Sequence, residues 1–409
     1  MTAEPTSASS RQARQEWLPP TWALALSLVA VAGNLRLALA GVPPLVPLIT
    51  TDLQLSNAAV GVLTTLPVLC MGLAAPVAHW AAVRWGSAPM VFLAMVSLTL
   101  GSAVRAAGDH LPALYGGTLL AGLGIAIAGT LLPRLVKTLF PPERVGAMTG
   151  LYTLAMMSGA ALSSAAAVPL ADRLGSWQAS LASWSVLGLV GLLAWAPLAR
   201  RVWTHRSHVT GAAGGGPARL PLRHPTAWLV SAYLAVSSWG FYSCLAWIAP
   251  SYTQLGWERH ASGYLLAVFM AAQIVSGLLA PVLTDTVHDL RLLLVPAAVL
   301  SGLGLLGFLL APSAAPWVWV GVLGLGQGGA FALALVLLLR YAATPLASGG
   351  LSAMGFLVGY TVAAFGPVSM GAVRDATGGF HAVWLVLGLI CLGQLGVCVA
   401  LRPRLRKVA

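Results

Sequence analysis

Apolar residues recur along the chain in long runs, which short polar segments or Gly- and Pro-containing turns separate. A helix that rises about 1.5 Å per residue needs roughly 20 apolar residues to cross the hydrocarbon core of a bilayer. Twelve runs are long enough, and we name them spans 1 to 12 in chain order. Their predicted bounds are 21–49, 57–79, 88–110, 113–135, 146–170, 178–198, 226–250, 261–283, 292–312, 316–340, 348–373 and 381–401. The pattern therefore predicts an all-α membrane protein with twelve transmembrane helices.

One connection is much longer than the others and divides the spans into two groups of six. Residues 199–225 are basic and Gly-rich, which is typical of a flexible linker. The predicted domains are therefore a six-helix bundle over 21–198, the linker, and a second six-helix bundle over 226–401. The polar ends, residues 1–20 and 402–409, are predicted to be cytosolic tails.

The distribution of Lys and Arg predicts the orientation of the chain, because short loops rich in these residues stay in the cytoplasm. With both termini inside, 17 of the 22 basic residues lie on the cytoplasmic side and four on the outer side. The remaining one, Arg36, lies within span 1. This asymmetry predicts an N-in, C-in protein of the cell inner membrane.

The two groups of spans carry the same residues at a constant offset of 203 positions. The matching pairs are Gly146 and Gly349, Ala160 and Ala363, Ala161 and Ala364, Asp172 and Asp375, and Gly175 and Gly378. A parallel repeat of six helices is the arrangement of major facilitator halves, which form two pseudo-symmetric bundles. In such a fold the substrate binds near the middle of the bilayer, between halves that rock around it.

Arg36 is the one charged residue that the predicted bounds place deep inside a span. A charge at the bilayer centre costs on the order of 3 kcal/mol on insertion scales, so its position calls for a reason. All ten carboxylate residues fall in predicted tails or loops. The sequence therefore offers Arg36 no acidic partner inside the membrane.

Two interpretations of Arg36 are open. In the first, helix-terminal carbonyls, Asn34 or trapped water satisfy the guanidinium, and its role is structural. In the second, Arg36 faces a central cavity and neutralises an anionic substrate, since its permanently charged, planar set of donors suits small oxyanions. We favour the second interpretation, in which Asn34 also lines the site.

Span 7 is rich in aromatic residues around the position that corresponds to Arg36. The offset of 203 relates Arg36 to Trp239, and Phe241 and Tyr242 follow closely. Aromatic faces opposite a guanidinium bind small delocalised anions or flat rings, so these three residues are candidate cavity-lining residues. Simple packing is the alternative for each ring, and Trp247 is predicted to be an anchor at the membrane interface.

Several polar residues within other spans are further candidates for the substrate site. They are Thr64, Tyr152, Gln273, Gln327 and Tyr360. Each competes with the simpler interpretation that the group bonds a neighbouring helix. Arg105, near the outer end of span 3, is predicted to extend towards the interface, where it would help to attract an anion.

Composition excludes several other classes of function. The formal net charge is +12, but the basic residues punctuate apolar runs and do not form the clustered basic face of a nucleic-acid-binding domain. No phosphate-binding Gly-rich loop with Lys and no cluster of metal ligands is present in the sequence, so we predict no enzyme activity, no cofactor and no metal. Any active transport is therefore expected to be secondary.

Particular segments resemble a known family. They are NLRLALAGVPPLVPLI in span 1, TLLPRLVKTLFPPERVGAMTGLY across spans 4 and 5, FYSCLAWIAP in span 7, and GLGQGGAFALALVLLL and VGYTVAAFGPVSMGAVRDATGGF in spans 10 and 11. The chain resembles the cyanate and 2-nitroimidazole porter family of the major facilitator superfamily. The resemblance implies transport of a small anion such as cyanate, or of a small flat polar ring. One departure is VRWGS after span 2, where Val83 and Ser87 replace the acid and the second base of the usual superfamily signature.

Three functional hypotheses follow. The leading one is secondary or facilitated transport of a small anion held at the midplane by Arg36, with a proton or a counter-anion as a further partner. The second is export of neutral or weakly acidic heteroaromatic compounds such as nitroimidazoles. The third, of another class, is a membrane sensor that binds a ligand without transporting it. The expected working unit is a monomer in the lipid bilayer, and no nucleic-acid partner is expected.

Overall fold

The structure is a computed structural model, and it describes residues 20–204, 220–284, 286–403 and 405–408. The predicted tail 1–20 lies outside the described residues apart from Pro20, as does most of the predicted linker 199–225. In the described part of the chain, eleven helices are long and apolar enough to cross a membrane, and Asn57–Leu73 is a shorter apolar helix. These twelve helices confirm the predicted all-α membrane architecture.

The helix bounds are as follows. Span 1 comprises Thr21–Ala40 and Val46–Leu53, span 2 comprises Asn57–Leu73 and Ala75–Trp85, and the others are Ser87–Val104, Leu111–Leu139, Pro142–Leu174, Trp177–Thr204, Pro225–Gln254, Arg259–Leu283, Arg291–Leu310, Pro316–Arg340, Pro345–Thr377 and His381–Ala400. Spans 4, 5, 7 and 11 are longer than predicted, and span 6 continues into the predicted linker. Asp172 and Asp375 therefore lie in the last turns of spans 5 and 11 and not in loops.

The prediction of one continuous helix over 21–49 is wrong, because span 1 is broken near its outer end. The first helix ends at Ala40, and a 3-10 turn over Pro43–Leu45 precedes the second helix. Proline has no N–H group, so Pro43 and Pro44 cannot donate to the preceding turn. The break therefore leaves backbone carbonyls of the first helix in need of other donors.

Two polar side chains from neighbouring spans supply donors at this break. Nη1 of Arg105 donates to the Ala38 carbonyl at 3.0 Å. The Ser164 hydroxyl shares its proton between the Ala40 carbonyl at 3.1 Å and the Ala160 carbonyl of its own helix at 2.9 Å. Arg105 is only 1% exposed, and its Nη2 donates to the Ser102 hydroxyl at 3.3 Å. The prediction that Arg105 extends towards the interface is wrong. It is a second arginine buried within the bundle, and the broken end of span 1 is its acceptor.

The two halves of the molecule meet along spans 2 and 11 and along spans 5 and 8. The Thr65 hydroxyl of span 2 donates to the Ala364 carbonyl of span 11 at 2.7 Å. A Cβ atom added at Gly263 in span 8 would lie 2.8 Å from the Ser164 carbonyl oxygen of span 5. With the N-in orientation, these contacts lie in the outer and central parts of the bundle, so the halves are closed together on the outer side.

Some glycines in the first half allow the backbones of two helices to pack closely, whereas others do not contact a neighbouring helix. In span 4 a Cβ atom at Gly124 would collide with the Ala94 carbonyl oxygen and lie 2.8 Å from the Leu98 nitrogen. At Gly129 in the same helix, a Cβ atom would meet no heavy atom within 4 Å. Lipid gives no hydrophobic drive for helix association, so close backbone packing of this kind stabilises the bundle. Gly124 is therefore a packing position and Gly129 is not.

We predict that Gly124→Ala lowers the thermal stability of the purified protein in detergent, whereas Gly129→Ala leaves it unchanged or raises it slightly. Overpacking typically costs about 1–3 kcal/mol, and replacing an exposed helical Gly by Ala favours the helix by roughly 0.5–1 kcal/mol. Melting curves of the two variants measure the difference. Equal melting temperatures would contradict the close packing of spans 3 and 4.

We also predict that Ser164→Ala destabilises the protein by about 1 kcal/mol, because the Ala40 carbonyl loses its donor inside the membrane. Ser163→Ala is the matched control: this neighbouring hydroxyl bonds only the Ala160 carbonyl of its own helix, at 3.2 Å. Thermal melting in detergent should therefore rank Ser164→Ala below Ser163→Ala. The reverse order would argue against a structural role for this bond.

Candidate functional site

Arg36 lies four residues before the first helix of span 1 ends at Ala40. Its side chain is buried, with 6% exposure. The guanidinium carbon is 5.3 Å from the ring centroid of Phe241 and 5.7 Å from that of Tyr242. Both distances are within the range of cation–π attraction. Because Arg36 belongs to the first half and both rings belong to span 7, the two halves together form this arrangement.

The two rings beside Arg36 are part of a larger aromatic group. The Phe241 and Tyr242 centroids are 4.8 Å apart, and Phe241 stacks on Phe269 of span 8 at 6.2 Å. Tyr242 lies 6.3 Å from Tyr360 of span 11, which stacks on Phe356 at 5.7 Å with an interplanar angle of 14°. We call these five residues the aromatic group. Its rings come from spans 7, 8 and 11, and the two from span 7 lie against Arg36.

The sequence prediction included three members of the aromatic group and missed Phe269 and Phe356. Phe356 and Tyr360 are separated by four residues, as are Phe269 and Gln273. Side chains at this spacing share one face of a helix. The periodicity around Gln273 and Tyr360 was therefore the signal that could have identified both phenylalanines.

No carboxylate is paired with Arg36 among the residues that the structure describes. The ion pairs found there join His260 to Asp172, Arg291 to Asp289, and Arg374 to Asp375. The groups that lie against Arg36 are the rings of Phe241 and Tyr242. Its positive charge is thus surrounded by neutral groups. Within the same described ranges, no set of three His, Cys, Asp or Glu residues is arranged to hold a metal ion.

Asn34 was predicted to line the site, but the structure directs its side chain elsewhere. Its amide nitrogen donates to the Ala30 carbonyl at 2.8 Å and to the Leu187 carbonyl of span 6 at 3.0 Å. Asn34 therefore joins spans 1 and 6. It does not satisfy the Arg36 guanidinium, which removes Asn34 from the partners that the structural interpretation of that charge offered.

Trp239 was predicted to oppose Arg36, but the rings over the guanidinium are those of Phe241 and Tyr242. The Trp239 indole packs near Gly366 of span 11, and its Nε1 is buried without a hydrogen-bond partner in the described structure. Gln327 of span 10 lies against Gly240, where its Nε2 would be 3.0 Å from an added Cβ atom. Its Oε1 is also buried without a partner there. The Trp239 Nε1 donor and the Gln327 Oε1 acceptor therefore have no hydrogen-bond partner in the described structure.

The other predicted site residues have different surroundings. Gln273 is buried, and its Nε2 donates weakly to the Phe269 carbonyl at 3.4 Å, which places it next to the aromatic group. Thr64 is buried in span 2, one residue before Thr65, which bonds span 11. Tyr152 packs against a separate apolar cluster within the first half. The structure does not bring Tyr152 to the aromatic group.

The prediction that Trp247 is an anchor at the membrane interface is wrong. It is fully buried, and its Nε1 donates to the Pro367 carbonyl of span 11 at 2.9 Å. Its position near the predicted end of span 7 suggested contact with the interface. Span 7 instead continues to Gln254, so Trp247 lies two turns inside the helix.

Comparisons with known proteins agree with this architecture. The family model described as Major Facilitator Superfamily matches residues 23–367. A crystal structure of a D-xylose–proton symporter superposes with a TM-score of 0.69, covering 91% of this chain and 97% of that chain at 17% identity. At this identity the likeness shows the fold alone.

Curated relatives match almost the whole chain. An uncharacterised transporter of Bacillus subtilis (strain 168) is 33% identical, with 91% of this chain and 92% of the relative covered. The 2-nitroimidazole transporter of Escherichia coli (strain K12) is 31% identical, with 94% and 96% covered. The cyanate transport protein of the same organism is 30% identical, with 92% and 97% covered. The chain therefore belongs to the Major Facilitator Superfamily, within the family of the cyanate and 2-nitroimidazole porters, and is a multi-pass membrane transporter and not an enzyme.

Proposed function

We propose that this protein transports a small anion by alternating access, with Arg36 as the counter-charge at the middle of the membrane. The observation that carries the proposal is a buried guanidinium that faces aromatic rings and has no carboxylate partner in the described structure. All of the proposed contacts come from one chain, so we propose a monomer as the transporting unit.

The energetic argument concerns the cost of an uncompensated charge. A buried arginine in a membrane is expensive unless a partner offsets the cost, and intramembrane charges usually mark substrate or ion pathways. Arg105 donates to the Ala38 carbonyl, although its Nε has no partner in the described structure, whereas the contacts of Arg36 are with the rings of Phe241 and Tyr242. A small anion that bound here would supply the missing charge.

The geometry also favours a particular kind of anion. A guanidinium offers donors in one plane, which matches planar or linear delocalised anions better than a point charge does. The Phe241 and Tyr242 rings add rigid apolar walls beside the guanidinium. One relative of this chain is named as a cyanate transport protein, and cyanate is a small delocalised anion of this kind. We therefore propose cyanate-like anions and small oxyanions as the substrate class.

We predict that Arg36→Ala weakens anion binding about 10- to 100-fold, the equivalent of losing a hydrogen bond to a charged group worth about 1.5–3 kcal/mol. Arg36→Lys should keep part of the affinity, since it keeps the charge but loses the planar donors. The measurements are dose-dependent thermal stabilisation by cyanate, nitrite and monocarboxylates, and uptake of the labelled anions into proteoliposomes.

The matched control for this experiment is Arg173→Lys, the same chemical change at an exposed position on the outer side. It should leave both anion stabilisation and uptake unchanged. Normal anion uptake by Arg36→Ala would rule out the proposed counter-charge.

A second candidate function is export of small heteroaromatic compounds. The observation in its favour is the aromatic group itself, which continues from Phe241 through Tyr242 to Tyr360 and Phe356. Ring faces at these separations bind flat cargo by stacking. A relative that is 31% identical is named as a 2-nitroimidazole transporter. In this case the rings contribute more to affinity than the charge does.

We predict that Phe241→Leu weakens the binding of a flat ring about 2- to 10-fold, which corresponds to an aromatic contact of about 0.5–1.5 kcal/mol. Phe365→Leu is the control, because Phe365 is 53% exposed on span 11 and lies outside the aromatic group. Thermal stabilisation by 2-nitroimidazole measures the effect. If the protein exports neutral rings, Arg36→Ala should reduce their binding less than Phe241→Leu does, and the opposite order favours anion transport.

A further inference from the structure

After span 12 the chain turns back and packs against the cytoplasmic end of the second half. Span 12 ends at Ala400, and Pro403 follows closely, which disfavours continuation of the helix. Val408 is only 1% exposed and pairs with the segment that follows span 10. Its nitrogen donates to the Tyr341 carbonyl, and its carbonyl accepts from the Ala343 nitrogen, both at 2.8 Å. The described part of the predicted tail 402–409 is therefore docked on the protein.

We call residues 402, 403 and 405–408 the C-terminal segment, and two hydroxyls also hold its backbone. The Tyr341 hydroxyl donates to the Arg402 carbonyl at 2.9 Å. The Thr226 hydroxyl, at the start of span 7, donates to the Arg406 carbonyl at 2.8 Å. Three residues of the segment are basic and exposed, and they are Arg402, Arg406 and Lys407. The segment thus fixes basic residues at a defined place on the cytoplasmic surface.

A cavity of about 110 Å³ lies between the C-terminal segment, the loop that joins spans 8 and 9, and the end of span 10. Lys407 and Arg340 both line it. The one carboxylate in the lining, that of Asp289, accepts from Nε and Nη2 of Arg291 at 2.9 and 2.6 Å. Neither Arg340 nor Lys407 belongs to an ion pair within the described residues. The cavity therefore carries an excess of positive charge.

The surface beside this cavity is apolar. Leu339, next to Arg340 in span 10, is 67% exposed, and Leu292, at the start of span 9, is 65% exposed. Val282 and Leu283, at the end of span 8, are exposed as well. With the C-in orientation, all of these positions lie at the cytoplasmic edge of the hydrocarbon core. Two cations next to a lipid-facing surface fit an amphipathic anion better than a soluble one.

The internal repeat provides a natural comparison, because the first half has only part of this arrangement. The offset of 203 relates Arg340 to Lys137, so spans 10 and 4 both carry a cation at their cytoplasmic ends. The same offset relates Lys407 to Thr204. In the first half, however, span 6 continues as a helix to Thr204 and does not end at the position equivalent to the end of span 12. The turned-back basic segment is thus a feature of the second half.

We propose that the cytoplasmic end of the second half binds the phosphate headgroup of an anionic phospholipid. Arg340 and Lys407 supply the counter-charges, and the C-terminal segment positions Lys407. Basic pockets between transmembrane helices on the cytoplasmic side are suited to such headgroups, and a guanidinium forms strong hydrogen bonds to phosphate oxygens. This lipid site is separate from the transport of a substrate and does not depend on Arg36.

The test compares an anionic with a zwitterionic phospholipid. The purified full chain in detergent is titrated with phosphatidylglycerol or phosphatidylcholine while its melting temperature is measured, and native mass spectrometry counts the bound lipid molecules. We expect phosphatidylglycerol to reach half-maximal stabilisation at a concentration at least fivefold lower than phosphatidylcholine does. A basic residue near an anionic lipid surface contributes about fivefold in affinity, which is about 1 kcal/mol.

Three variants test the two counter-charges. Arg340→Gln and Lys407→Gln should each weaken the binding of phosphatidylglycerol about fivefold, and together about 30-fold. Lys137→Gln is the matched control, since it removes a cation from the equivalent position of the first half, and it should bind phosphatidylglycerol like the parent. Both Arg340 and Lys407 are exposed, so the melting temperatures without added lipid should stay unchanged. If the double variant prefers phosphatidylglycerol as strongly as the parent does, the proposal is wrong.

Val408→Asn tests whether the docked segment forms the site. It keeps every charge but places a polar side chain at a buried position, so it should release Lys407 and weaken the binding of phosphatidylglycerol as much as Lys407→Gln does. Unchanged binding by Val408→Asn would contradict a positioned site. Stabilisation by inorganic phosphate to the same extent as by phosphatidylglycerol would identify a soluble anion and overturn the lipid proposal. Arg36→Ala should bind the lipid like the parent, so failure of the anion-transport proposal would be seen separately.

Discussion

The cost of placing a guanidinium inside a hydrocarbon bilayer is the constraint on which this structure depends. The bundle contains two buried arginines, and the described structure gives neither of them an acidic partner. Arg105 donates from its two terminal nitrogens to the Ala38 carbonyl and Ser102, where the prolines of span 1 have interrupted the helix, and its Nε is buried without a partner in the described structure. Arg36, two residues before Ala38, instead faces the rings of Phe241 and Tyr242. The same segment of span 1 therefore gives one arginine a backbone acceptor and holds the other against aromatic rings of the opposite half.

The site and the outer closure share one architectural property, since each exists only where the two halves meet. Arg36 belongs to the first half, and its aromatic neighbours belong to the second. The Asp172–His260 and Asn57–Asp375 contacts also cross between the halves. A rocking motion that separates the halves on the outer side breaks these contacts and changes the surroundings of Arg36.

The internal repeat preserves the positions of residues along the helices, but it does not preserve the chemical type of the side chains at those positions. Arg36 and Trp239 occupy equivalent positions, yet one is a buried charge and the other is an indole packed near span 11. Asn57 and His260 are likewise equivalent, and both contact the carboxylate of the other half. The repeat therefore supplies a symmetric scaffold of helices, on which equivalent positions carry different side chains.

Hydropathy determined the membrane class and the number and order of the spans, and the distribution of Lys and Arg determined their orientation. The sequence also showed that Arg36 is far from any carboxylate along the chain. Each of these properties depends on the composition of individual spans and loops. Only the tertiary structure decided the depth of Arg105, the direction of Asn34 and the choice of Phe241 and Tyr242 over Trp239. These depend on how each helix is rotated and where it ends. Two residues along an α-helix turn a side chain by about 200°, so an equivalent backbone position does not identify the contacting ring. The partners of a side chain in the opposite half follow from packing between helices, which no single segment of the sequence contains.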